Sequence, residues 1–127
     1  MVEIITRSTD VNKIDVKGLL DWDALATKAA EIWCKRQGIQ EEIKEVETLQ
    51  RGLAPQVSFN SNGRIVIRLI PWIQLTRIKL KGGRVEELPG EIIEIPDRDV
   101  LIILDHKTSR ELYEFLKTIE IDFYKYT

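Results

Sequence analysis

The apolar residues of this chain change their period near Gln56, and that change limits the folds open to it. Upstream they recur at helical spacing. In DWDALATKAAEIWCKRQG, Trp22, Leu25, Ala29, Ile32 and Trp33 fall on one side of a helix that Asp21 can cap and Gly38 can stop. In IQEEIKEVETLQRG the spacing repeats through Ile39, Ile43, Val46 and Leu49 or Leu53, with acids between them and Gly52 as the stop. The two segments together predict an N-terminal αα-hairpin. Ahead of them, Val2 to Thr6 predicts a short strand.

Downstream, alternation takes over. QVSFN and RIVIRL flank Ser61-Asn62-Gly63, a loop whose glycine can close a hairpin with a bulge. Pro71 predicts a bend or a sheet edge. IQLTRIKLK and RVEEL flank Gly82-Gly83, which predicts a second hairpin on a two-residue turn, and EIIEI follows Pro89-Gly90. The unbroken apolar run of DVLIIL predicts a strand covered on both faces. Thr108 and Glu111 form a capping box for RELYEFLKTI, with Leu112, Phe115, Leu116 and Ile119 inward, and IDFYKY reads as a last strand. The expectation is one α+β domain over residues 1–127: an N-terminal αα-hairpin, a mainly antiparallel sheet of hairpins, and a C-terminal helix packed on that sheet.

Composition bounds the function. No apolar run approaches the roughly 20 residues needed to cross a bilayer, and MVEIITRSTD lacks the basic flank and apolar stretch of a signal peptide. A soluble, cytoplasmic protein with no membrane partner is expected. Cys34 is the only cysteine, which excludes a disulfide within the chain and a cysteine-cluster metal site. Abundant isoleucine and charge, with one Met and one Cys, suit a protein from a hot environment, where part of the charge belongs to surface ion pairs.

The charge is unevenly placed. Residues 1–47 carry a net −3, residues 48–85 a net +7 with no acid, and residues 86–127 a net −6. Strand parity puts Arg64 and Arg68 on one face with Gln56, Ser58 and Asn60, away from Ile65 and Ile67. A two-residue turn at Gly82-Gly83 would set Lys79 opposite Glu86 and Lys81 opposite Arg84. Arg64, Arg68, Lys81 and Arg84 therefore lack local counter-ions. With Trp72 nearby for stacking, they define a face able to hold phosphates or single-stranded DNA or RNA. A sequence pI near 5.5 weighs against a dedicated nucleic-acid binder. The same asymmetry fits an assembly surface, on which the basic segment of one copy meets the acidic segment of another.

Sites for chemistry are sparse. Asp105-His106-Lys107 follows a buried strand, where a catalytic acid or metal ligand often sits, and His106 is the only histidine. Pro96-Asp97 with Asp105-His106-Lys107 imitates a nuclease pattern. However, a strand rises about 3.3 Å per residue, so Asp97 and Asp105 would stand roughly 26 Å apart and could not share a metal. Asp105 and Thr108 serve equally well as turn and cap residues. Asp21 and Asp23 around Trp22 suit a helix N-terminus, and Cys34 suits a small core position. The acidic second helix of the hairpin would repel DNA phosphates, and no phosphate-cradling glycine loop is present.

The leading expectation is a non-enzymatic binding or assembly protein that uses the basic β-face, with single-stranded nucleic acid as the candidate partner. The alternatives are a homo-oligomeric or accessory-subunit interaction protein, and a small hydrolase or nuclease using Asp105 and His106. No cofactor or metal is expected.

Overall fold

Asp21 starts the helix as its sequence predicts: its side chain accepts a hydrogen bond from the Ala24 amide at 3.2 Å, and α1 runs Trp22–Arg36. Gly38, at φ 71°, lets the chain leave the helix. In the computed structural model, which describes residues 2–6, 15–59 and 64–105, this is the one α-helix, and it lies against a five-stranded sheet. The strands are β1 (Val2–Thr6), β2 (Ile43–Phe59), β3 (Ile65–Leu80), β4 (Val85–Glu94) and β5 (Val100–Leu104). No helix among the described residues is long and apolar enough to cross a membrane.

The expected αα-hairpin is not there, because its second segment is the first half of β2. The register with β3 gives the reason. Ile43 pairs with Leu80, Val46 with Ile78 and Thr48 with Leu75, but shifts between these pairs leave Lys44 and Leu49 as extra residues. Such bulges stretch a two-residue period. Apolar residues at 43, 46 and 49 then imitate helical spacing, although Leu49 is 62% exposed and is not part of the buried core.

β3 is the organising strand. Along one side it pairs with β2 throughout; along the other it pairs first with β5, through Ile65 to Leu69, and then with β4, through Trp72 to Lys79. Pro71 stands at the handover. Its carbonyl accepts from the Ile95 amide at 2.9 Å, so its missing N–H would point to the same side, into the gap between the end of β4 and the start of β5 that the 3-10 turn Pro96–Arg98 spans. A proline inside the sheet thus forfeits no ladder bond.

β5 lies between β3 and β1, antiparallel to the first and parallel to the second, so the sheet is mixed rather than mainly antiparallel. The helix packed on the sheet is α1, from the N-terminal part of the chain, and not a C-terminal one. The core forms where Leu25, Ala29 and Cys34 of α1 meet the inward face of β3, with Ile67, Leu75 and Ile78 at its centre.

The second hairpin also departs from expectation. Leu80 pairs its backbone with Arg84, with Lys81-Gly82-Gly83 between them and Gly83 at φ 93°. This three-residue turn sets Lys79 opposite Val85, not Glu86. Pro89-Gly90 does not separate two strands: β4 continues through it, bulging opposite Thr76 with Gly90 at φ 77°. The Ser61–Gly63 loop, the helix from Thr108 and the last strand lie outside the described residues.

Candidate interaction surface

The basic stretch of β3 runs between acidic neighbours. The residues just before and within β2 supply Glu41, Glu42, Glu45 and Glu47; β4 supplies Glu86 and Glu87; the chain around β5 supplies Asp99 and Asp105. The −3, +7 and −6 segments of the sequence are therefore interleaved in space.

Each cation singled out by the sequence has a carboxylate. Arg64 meets Asp105 at 3.2 Å, Lys81 meets Glu42 at 2.6 Å, and Arg84 meets Glu41 at 3.6 Å and also Glu86. Arg68 pairs through Nε with Asp99, the one charged side chain buried among the described residues, at 4% exposure. Lys79 lies 3.3 Å from Glu45 and 3.7 Å from Glu47, while Arg77 bridges Glu47 at 3.5 Å and Glu87 at 2.9 Å. These five residues make a ladder across three strands.

The Lys81 hydrogen bond and charge hold the Glu42 carboxyl below the usual carboxylate range. Glu87 and then Glu47 raise Arg77 further. An anion arriving at this face has to displace a carboxylate at each cation. Trp72 is fully buried, at 0% exposure, and offers no open ring.

The other candidates are dispersed. Asp97 sits in the 3-10 turn before β5 and Asp105 at the strand's far end, engaged by Arg64. His106, Lys107 and Thr108 lie outside the described residues. Asp21 caps α1, Asp23 lies in its first turn, and Trp22 stacks under the Arg51 guanidinium at 4.9 Å. Cys34 is buried; burial first, then the charges of Glu86 and Glu41, push its thiol above its ordinary pKa and make it a poor nucleophile. Among the described residues no group of three or more His, Cys, Asp or Glu side chains could hold a metal ion.

Among the described residues, what stands open is an edge. The sheet has three outer edges, and two are blunted in ways that natural sheets use to prevent pairing. β2 carries bulges at Lys44 and Leu49, and Pro55 lies opposite Leu69, whose polar groups turn to β5, so the amide that Pro55 lacks is an outward one. β4 is kinked at Pro89-Gly90.

β1 has no proline, no glycine and no bulge. Its direction is fixed by two bonds: the Val2 amide donates to Asp99 O at 3.0 Å, and the Asp105 amide donates to Thr6 O at 2.8 Å. Val2, Ile4 and Thr6 thus bond to β5, and the backbone N–H and C=O groups of Glu3 and Ile5 point away from the sheet. Among the described residues nothing pairs with them.

Apolar exposure lies on both faces of the same strand. Ile5 is 61% exposed, and Val2 and Leu19, at 39% and 47%, line a groove of about 380 Å³ with Leu25, Lys28 and Arg98. Sequence reading placed the β1 strand but not this edge, since no residue in VEIIT states which side of it the fold leaves uncovered.

No family model, curated protein or solved structure matches the chain.

Proposed function

We propose that this protein is a non-enzymatic interaction protein that assembles with copies of itself through the sheet edge at β1. The observation that carries the reading is the coincidence, on one five-residue strand, of outward backbone groups without partners among the described residues and exposed apolar side chains. Unpaired strand edges of this kind are templates for strand addition. A formal net charge of −2 leaves little repulsion between copies. The engaged cations support assembly over an anion grip, because each is already neutralised within the fold.

Sedimentation velocity over a concentration series tests this. A concentration-dependent shift from monomer to dimer or higher species is expected, and a monomer at every concentration overturns it. A parallel titration with single-stranded DNA at low salt separates the nucleic-acid reading: tight binding that falls steeply as salt rises would favour that reading instead.

A further inference from the structure

From the geometry of β1 we infer the partner and the register: two copies of this chain pair β1 with β1 antiparallel, about a two-fold axis at Ile4. The inference rests on the assembly reading above and specifies the contact. The outward groups belong to Glu3 and Ile5. In an antiparallel pair, residues that exchange both N–H···O bonds alternate with residues that exchange none. Centring the two-fold axis on Ile4 sets Glu3 of each copy opposite Ile5 of the other. All the outward groups are then used, and Ile4 meets Ile4 of the second copy as a pair without hydrogen bonds.

Charge selects the same register. Glu3 is the only charged residue in the strand, and centring on Ile4 places it beside an isoleucine. Centring on Glu3 would bring two carboxylates face to face, which is repulsive. Centring on Ile5 would leave the outward groups of Glu3 beyond the paired stretch. The side chains agree with the choice: Ile4 packs against the core cluster on the helix side, so two copies would extend one apolar layer, while the exposed Ile5 would gain the aliphatic stem of Glu3 from the second copy on the opposite face. β2 breaks its outward row at the bulges and at Pro55, and β4 breaks its own at Pro89-Gly90, whereas β1 is unbroken along its whole length.

Cysteine trapping reads the register directly. Residues facing each other without hydrogen bonds have Cα atoms about 4.5 Å apart, inside the range a disulfide accepts, whereas residues offset by two positions do not. In a Cys34→Ala background, Ile4→Cys is expected to form a covalent dimer with oxidised glutathione at least tenfold faster than Ile5→Cys or Glu3→Cys. Ile5→Pro removes an outward donor and no bond to β5, so it is expected to leave the circular dichroism spectrum and melting temperature of the monomer unchanged and to abolish the dimer in sedimentation. Equal cross-linking at all three positions, or a dimer that survives Ile5→Pro, overturns the register while leaving self-assembly standing. If Ile5→Pro does not fold, the cross-linking order decides alone. A wild-type monomer at every concentration removes both the register and the assembly reading.

Discussion

The two ends of the sheet handle charge in opposite ways. At the far end, where β2 begins and β3 meets β4, Lys79, Arg77, Lys81 and Arg84 sit in surface pairs with Glu41, Glu42, Glu45, Glu47, Glu86 and Glu87. At the near end, where β3 meets β5 and β1, Arg64 meets Asp105 at the surface, a buried carboxylate, Asp99, is held by Arg68, and among the described residues nothing pairs with the outward side of β1. The far end holds a connected network of surface pairs and is bounded by blunted edges; the near end holds separate pairs, one of them buried, and is bounded by an edge fit to pair. A run of cations in a sequence says little about binding until the strands beside it are known.

The largest expected difference between the ends is in stability. Arg68→Ala leaves Asp99 buried without a counter-ion and is expected to cost about 2–3 kcal/mol, the half-exposed arginine reducing the full penalty of a stranded buried charge. Lys79→Ala removes a screened surface partner and is expected to cost less than about 1 kcal/mol. Urea denaturation of the two variants compares them, and equal losses would erase the contrast. Arg68→Met combined with Asp99→Leu is expected to recover most of the Arg68→Ala loss, since no unpaired charge remains.

A middle-sized effect tests the turn that sets the far-end register. Gly83 has a positive φ and Gly82 does not, and neither has an atom near where a Cβ would stand. Gly83→Ala is expected to cost about 1 kcal/mol, and Gly82→Ala to be neutral or slightly stabilising. Equal costs would mean a two-residue turn, with Lys79 returned to face Glu86.

The smallest effect is a pH dependence. The folded Glu42 carboxyl titrates below its unfolded value, so its pairing with Lys81 contributes stability above about pH 4.3, and that contribution is lost as pH falls through the lowered folded value. The melting-temperature difference between wild type and Lys81→Met is therefore expected at pH 6 and is expected to shrink as the pH falls through the lowered titration of Glu42. A difference that persists in acid would show that Lys81 acts through packing instead.

Much of the local structure was legible in the sequence. α1, its Asp21 cap and its buried stripe follow from helical spacing, and the faces of the Gln56 to Arg68 hairpin follow from alternation, with Val57 opposite Ile67 and Gln56 opposite Arg68. DVLIIL became an inner strand, as an unbroken apolar run requires. The start of β2 reads as a helix because bulges at Lys44 and Leu49 give a strand the spacing of a helix.

The ion pairs were beyond reach for a different reason. Lys81 and Glu42 are 39 positions apart, and Arg68 and Asp99 are 31, so only the strand order brings them together. A search for local counter-ions finds neither of these, and of the four cations only Arg84 has one close in sequence, Glu86, two positions along. The β1 edge was hidden in the same way, since its openness is a property of the topology.

The central claim, that β1 is the edge on which copies meet, is tested most directly by amide hydrogen exchange followed residue by residue at low and high protein concentration. The Ile4 amide bonds to β5 and is expected to be protected at both. The Glu3 and Ile5 amides point outward and are expected to exchange quickly in dilute solution and slowly in concentrated solution. Fast exchange of Glu3 and Ile5 at every concentration, in a sample that sedimentation shows to be associated, would place the contact elsewhere and contradict the account.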